Sequence, residues 1–251
     1  MNFEHGTPRS TLSCGRCLCY CPSVRISEIF YSIQGEGRLL GMPSVFIRTS
    51  GCNLRCVWCD TQYTSWRPEG REWSVQKILR EVHKYPARHA VVTGGEPLLA
   101  PQIVELTREL KREGAHITIE TAATIFKPVA CDLISMSPKL ANSMPRKREK
   151  GKFAKMHEER RLNFGVLQEF LDRYDYQLKF VVERRRDFDE IGDLLGKLDG
   201  VDRTRVLVMA QGKTSEELRR KAKWIVELCK EHGYRFTPRL HIDLFGNRRG
   251  T

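Results

Sequence analysis

The order of the apolar segments constrains the fold most: short runs rich in β-branched residues keep returning, with amphipathic helical stretches between several of them. Strand-like runs fall at Arg25–Phe30, Ser44–Thr49, Ala90–Thr93, Ile117–Thr121, Cys131–Ser135, Gln177–Val182 and Val206–Met209. Ser215–His232 reads as a helix, with Leu218, Ala222, Ile225 and Cys229 on one face and a Thr214–Glu217 capping box at its start. Val75, Ile78, Leu79 and Val82 mark a second helix. A third follows Pro101, turning Ile103, Leu106 and Leu110 inward and stopping at Gly114. Strand then helix, repeated, requires right-handed crossovers over a parallel sheet, so the predicted class is α/β: an open doubly wound sheet or a partial or complete barrel. No internal repeat is visible.

Such folds carry their chemistry on the loops that leave the carboxyl ends of the strands. The loop after Ser44–Thr49 holds Cys52, Cys56 and Cys59 in a CxxxCxxC spacing. A cubane iron–sulfur cluster takes one thiolate per iron. One compact loop with three thiols would hold such a 4Fe-4S cluster and leave one iron open to an outside chelate. Gly51, just before the first ligand, lets the chain turn out of the strand. The competing reading is structural zinc, which normally closes with a second ligand pair; no second CxxC or HxxxH follows at that spacing. Past the cysteines, Asp60-Thr61 offers a carboxylate and a hydroxyl to a ribose or a hard cation. Gly94-Gly95-Glu96-Pro97 closes the strand Ala90–Thr93 with glycines that permit close backbone approach, leaving N–H and C=O groups for a ligand's amino acid moiety.

Composition narrows the setting. A chain of 251 residues with 40% hydrophobic residues is sized for one soluble domain. No apolar stretch reaches the roughly 18 residues of a membrane helix and no secretory apolar region opens the chain, so a cytoplasmic location without membrane contact is expected. Nine cysteines in a reducing compartment point to a metal site before disulfides. Residues 1–23 carry Cys14, Cys17, Cys19 and Cys21 without usable periodicity and read as a Cys-rich, disordered extension; the single domain spans 24–251. The net charge of +12 suits an anionic partner or substrate. Much of it sits in a basic insertion at about 140–162, where Pro145–Arg161 sets eight Lys or Arg against three Glu. That run lacks the aromatic interleaving used for base stacking, so it reads as a solvated, mobile loop, and direct nucleic-acid binding is not expected. Cys131 and Cys229 lie in apolar periodic segments and read as core.

The three cysteines, Trp58 just before the last of them, and Gly94-Gly95-Glu96-Pro97 together resemble the radical S-adenosylmethionine superfamily. Within it, the stretch Glu28-Ile29-Phe30-Tyr31-Ser32-Ile33-Gln34-Gly35-Glu36-Gly37 and the triplet Cys59-Asp60-Thr61 resemble the 7-carboxy-7-deazaguanine synthases, a likeness running from about Arg25 to Leu244-Phe245-Gly246-Asn247. The resemblance implies a partial or modified (β/α) barrel with a mostly parallel sheet. It implies ring contraction of 6-carboxy-5,6,7,8-tetrahydropterin to 7-carboxy-7-deazaguanine with release of ammonia, a carbon–nitrogen lyase reaction of queuosine and archaeosine biosynthesis. Carried over by position, Ile33, Gln34, Gly35, Arg48 and Thr93 hold the substrate, and Trp58, Asp60, Gly95, Ser137, Pro138 and Lys139 hold S-adenosylmethionine. Thr61 ligates Mg2+, while no side chain acts as a catalytic acid or base because the cluster and S-adenosylmethionine carry the chemistry. The implied partners are the pterin, a flavodoxin- or ferredoxin-type one-electron reductase, and a second copy in a homodimer. Glu120 is placed to face the same cavity without an assigned role. Two rivals remain at this level: an activase that generates a glycyl radical on a partner protein, and a non-catalytic metal-containing RNA-binding module.

Overall fold

The computed structural model describes residues 23–251, so the four N-terminal cysteines lie outside the described residues. Nine strands form one sheet: β1 (Val24–Ile33), β2 (Pro43–Thr49), β3 (Arg71–Trp73), β4 (His89–Gly94), β5 (His116–Thr121), β6 (Leu133–Met136), β7 (Tyr176–Val182), β8 (Val206–Ala210) and β9 (Arg235–Phe236). Their order across the sheet is β3-β1-β2-β4-β5-β6-β7-β8-β9. Every pair from β2 to β9 is parallel, whereas β1 runs antiparallel to both β2 and β3. The sheet does not close, since β3 and β9 stand at opposite edges, which is the expected partial barrel. Eight helices accompany it: α1 (Gln62–Ser65), α2 (Val75–Val82), α3 (Ile103–Arg112), α4 (Ala154–Arg160), α5 (Phe164–Arg173), α6 (Asp187–Leu195), α7 (Ser215–His232) and α8 (Leu240–Phe245). None is long and apolar enough to cross a membrane.

The period of two along each strand divides the sheet's faces. Val45 and Ile47 of β2, Ala90 and Val92 of β4, Ile117 and Ile119 of β5, and Leu178 and Phe180 of β7 join one core. The apolar stripes of α2, α3, α5, α6 and α7 complete it, among them Ile78, Leu106, Phe170, Ile191 and Ile225. Each such side chain contributes about 1.5–3 kcal/mol by leaving water. The intervening residues Phe46, Arg48, Thr93, Glu120, Ser135, Lys179 and Met209 face the other way, where the functional cavity lies.

Local signals set the helix ends. Thr214 Oγ1 accepts from the Glu217 N–H at 3.2 Å, while Glu217 reaches back one residue further than a standard box, to the Lys213 N–H at 2.8 Å. Gly233, left-handed at φ 71°, closes α7. β1 runs to Ile33, beyond the expected Phe30, because its pairing with β2 continues to Pro43. β6 starts at Leu133, not Cys131, because Asp132 holds the entry, its side chain accepting from the Ile117 N–H at 2.8 Å. Cys229 is buried in the core and Cys131 packs against it.

The basic segment departs from the expected solvated loop. It contains α4, and His157 on that helix is fully buried. Its Nδ1 accepts from the Arg55 N–H at 3.0 Å and its Nε2 meets Ser143 Oγ at 2.9 Å, so the segment is fastened to the cysteine loop.

A second histidine at the far end of the sheet makes stability pH-dependent. His89 is buried between Ser44 Oγ (2.5 Å) and Thr118 Oγ1 (2.9 Å). Burial first, and the nearby His116 next, push its pKa down to about 4. The unfolded histidine titrates at about 6.5 and takes up its proton first as pH falls, so this contribution is complete above about pH 6.5 and lost toward pH 4. Thermal melts across that window are expected to show a falling midpoint, with a shallower slope in His89→Gln.

Candidate active site

At the carboxyl ends of the strands the sheet, the cysteine loop and the C-terminal segment enclose a cavity of about 470 Å³. The cysteine loop leaves β2 through Gly51, whose φ of 108° only glycine adopts readily. The Gly51 N–H donates to Thr64 O at 2.9 Å, and its carbonyl accepts from the Glu96 N–H at 2.9 Å. The Gly95 N–H is likewise spent on Thr49 O at 3.3 Å. Gly94 at the end of β4 and Gly95 after it thus bring backbone against Thr49 and Gly51, so the Gly95 and Glu96 N–H groups are not free for a ligand as expected. A Cβ at Gly95 would fall inside the shell of the Gly51 carbonyl oxygen, which cannot rotate away. Gly95→Ala is expected to cost about 1–3 kcal/mol and to lower iron uptake, read by melting and iron assay.

Glu96 itself is buried and accepts from Thr121 Oγ1 (2.8 Å), the Ala122 N–H (2.8 Å) and the Leu98 N–H (3.1 Å). Its carboxyl pKa is raised, burial outweighing these bonds. It is a strut across the ends of β4 and β5.

Cys52, Cys56, Cys59 and Trp58 gather around Leu54 and Ala122 in a small apolar cluster on the cavity wall. Burial pushes the Cys52 and Cys56 thiols up to about 12, so they stay protonated at neutral pH without a compensating cation. Among the described residues no three His, Cys, Asp or Glu side chains converge as a single metal ion requires. Three thiols ranged along one cavity wall instead fit a multi-iron group, with the raised thiol pKa values making its positive charge the condition for ionising them.

The cavity floor is a charged network that the sequence reading assigned only in part. Glu120 accepts from Gln34 Nε2 (3.2 Å), Thr93 Oγ1 (3.1 Å) and Lys179 Nζ (3.1 Å). Lys179 also donates to Glu36 at 3.0 Å. Arg239 donates from Nε to Glu36 (3.0 Å) and from its terminal nitrogen to Asp60 (2.6 Å). Burial opposes ionisation of Glu36, yet Lys179 and Arg239 hold its carboxyl well below the usual range. Burial likewise opposes the charge on Glu120, but Lys179 outweighs it and the pKa falls. Burial works against the Lys179 cation, and Glu120 and Glu36 more than offset it.

The expected site residues are brought together with one exception. Ile33, Gln34, Gly35, Arg48, Cys52, Cys56, Trp58, Cys59, Asp60, Thr61, Thr93, Gly95, Ser137 and Lys139 line the cavity; Pro138 is buried behind it. Both ends of the Gln34 amide already serve the protein, Oε1 accepting from the Glu36 N–H at 3.1 Å. Arg48 Nε donates to Glu28 at 2.6 Å and its terminal nitrogens have no acceptor among the described residues. Lys139 Nζ donates to Ser137 Oγ at 2.7 Å and stands 5.9 Å from the Trp58 ring centre. Glu36 was read only as part of the Gln34-Gly35-Glu36-Gly37 stretch, and Lys179, Arg239 and His241 were missed. The last two belong to the C-terminal segment, which the Leu240 N–H ties to Gly35 O at 2.9 Å, with His241 packed where a Gly35 side chain would stand. Arg249 then pairs with Glu28 (3.1 Å) and Glu69 (2.9 Å), setting Thr251 on the cavity wall.

Comparison with known proteins places this arrangement. Residues 46–145 match the radical SAM superfamily model. The 7-carboxy-7-deazaguanine synthase of Rhodopirellula baltica is 44% identical over 91% of this chain and 89% of its own length. That of Halobacterium salinarum is 45% identical over 90% of this chain and 92% of its own. The crystal structure of QueE from Escherichia coli superposes with a TM-score of 0.65 at 26% identity, covering 87% of this chain and 95% of that one.

Proposed function

This chain belongs to the 7-carboxy-7-deazaguanine synthase family of the radical S-adenosylmethionine superfamily, and from that premise we propose how its own residues serve the reaction. The reaction is ring contraction of 6-carboxy-5,6,7,8-tetrahydropterin to 7-carboxy-7-deazaguanine with loss of ammonia, a step of 7-deazapurine biosynthesis. When bound, the 4Fe-4S cluster and S-adenosylmethionine supply the one-electron cleavage that starts radical chemistry. Cys52, Cys56 and Cys59 hold the cluster. Trp58, Asp60, Gly95, Ser137 and Lys139 flank S-adenosylmethionine, with Pro138 shaping the turn between the last two.

Substrate binding falls to cavity residues on and just after β1, β2, β4 and β5. Arg48, anchored through Nε by Glu28, turns two unpaired nitrogens to a carboxylate, the fork geometry suited to bidentate pairing. Ile33, Gly35 and Thr93 shape the pterin site. Gln34 acts mainly by orienting Glu120, whose fixed charge meets the donor groups of the pterin edge. Thr61, whose Oγ1 accepts from Thr64 Oγ1 at 3.1 Å, offers one oxygen to Mg2+; the substrate carboxylate and water would complete its shell. The floor carbons and charges keep bulk water from the reacting centre.

The observation that carries this reading is the placement of a cationic fork, Arg48, and an anionic hub, Glu120, in the same cavity as the three thiols. Arg48→Ala is expected to raise KM for the pterin by about 10²-fold, the loss of a charge-assisted pair, while S-adenosylmethionine affinity changes little. An unchanged KM would remove Arg48 from the substrate site. The functional unit is proposed to span 24–251 and to work in the cytoplasm as a homodimer, taking electrons from a flavodoxin- or ferredoxin-type carrier.

A further inference from the structure

Among the described residues, the basic segment is a sequence feature that the ring contraction does not use. It packs directly on the cysteine loop. The Val57 N–H, next to Cys56, donates to Ser143 O at 2.8 Å; the Arg55 N–H donates to His157 Nδ1 at 3.0 Å. Trp58 Nε1 donates to Asn142 O at 3.1 Å. Further along, Phe153 meets Trp66 edge-on at 5.7 Å, and Arg148 lies 3.7 Å from the Trp66 ring centre. The aromatic and imidazole groups of the segment therefore face inward, while Arg146, Lys147, Lys150, Lys152, Lys155 and Arg160 are exposed against Glu149, Glu158 and Glu159, a net positive face. Val57, between Cys56 and Trp58, is 39% exposed beside buried Cys56.

We propose that this basic face, together with Val57, is the docking surface for a small acidic one-electron carrier protein. The inference rests on the radical S-adenosylmethionine reading, which requires an outside reductant. In the docked pair one electron leaves the reduced carrier, which is oxidised by one, and enters the cluster, which is reduced by one; no proton or group moves. Three features favour an acidic protein over RNA. The charge sits on the segment packed against the cysteine loop and not in the cavity lining, an apolar residue stands beside a cluster ligand, and the aromatics that could stack on bases are engaged inward. A surface of this kind steers association and loses its effect as salt shortens the Debye length from about 10 Å at 0.1 M to about 3 Å at 1 M.

The test uses Lys147→Glu/Lys150→Glu/Lys155→Glu, a set with no side-chain hydrogen bonds or ion pairs in the described structure, with reduced flavodoxin as the acidic carrier. Two readings are taken: the rate at which the carrier reduces the reconstituted cluster, followed by absorbance, and the affinity of the metal-free protein for the carrier at low and high salt. Expected are a fall of at least about tenfold in both for the variant, loss of the salt dependence seen in wild type, and unchanged cluster reduction by dithionite, which needs no docking. Equal carrier rates and affinities in variant and wild type overturn the proposal. So does a variant that loses tRNA binding while carrier affinity stays put. If the charge reversals disturb iron loading, the corresponding lysine-to-glutamine set is judged by carrier affinity of the metal-free protein, where loss sustains the proposal and no change overturns it. A wild-type protein that takes up no reducible cluster contradicts the parent reading instead, and the metal-free affinity still decides the surface.

Discussion

Cys56→Ala is expected to abolish S-adenosylmethionine cleavage and product formation together, a loss of at least about 10³-fold given the accelerations enzymes supply. Cys56 is the most buried of the three thiols, inside the apolar cluster with Leu54 and Ala122. Burial holds its proton on unless a cluster's charge displaces it. Removing it would leave two of the loop's three thiols, Cys52 and Cys59, to hold a cluster. Cys229→Ala serves as the control: that thiol lies in the core of α7, far from the loop in function, and its loss is expected to leave iron content and turnover intact. Iron analysis, absorbance and turnover of the two variants side by side check the prediction. Equal iron content in Cys56→Ala and wild type would contradict the ligand assignment.

Lys179→Met is expected to be the most destabilising single change in the cavity, at about 3–5 kcal/mol, because it strands buried charge. Lys179 is almost wholly buried and bridges Glu36 and Glu120 at 3.0 and 3.1 Å. Glu36 would keep Arg239, but Glu120 would keep only the neutral donors of Gln34 and Thr93. In the native protein both carboxyls are held below their usual pKa, so their stabilisation is present above about pH 4.5 and fades as pH falls through the depressed values. Without the lysine, burial governs Glu120 and its pKa rises, so the variant's deficit grows as pH climbs above about 4.5. Denaturant unfolding at pH 5 and pH 8 should show a larger deficit at pH 8, and Glu120→Gln in the same background should recover part of it. Equal deficits at the two pH values would mean the lysine matters only as packing.

The contrast between these two residues shows what was legible in the sequence. Cys56 could be read because its partners lie within the same loop and spacing alone declares the chemistry. Arg48 and Thr93 were legible as cavity residues only through the family resemblance, since a strand-end cation or hydroxyl reads by itself as surface or filler; the structure puts both on the cavity side of their strands. Lys179 was not, since its role depends on which strands stand beside β7, yet it left a signal: it is the one charge in Tyr176–Val182, and a lone lysine in a buried run requires a partner. Arg239 and His241 left less, because what places them is the C-terminal chain folding onto Gly35, a contact across about 200 residues of sequence that no local pattern encodes. Within the QGEG stretch, Glu36 is held by Lys179 and Arg239, and a side chain at Gly37 would run into Gln177, which is how partners distant in sequence give that stretch its meaning. The basic segment misled for a related reason: its composition describes its exposed side, while His157, Phe153 and Asn142 are turned toward the cysteine loop.

The most direct measurement is an anaerobic assay of the reconstituted, reduced protein with S-adenosylmethionine, Mg2+ and 6-carboxy-5,6,7,8-tetrahydropterin, followed by mass spectrometry. The account predicts 7-carboxy-7-deazaguanine, formed over many turnovers and absent from Cys56→Ala. Cleavage of S-adenosylmethionine with the pterin recovered unchanged would contradict it, leaving the thiol cluster site in place and the substrate wall wrongly assigned.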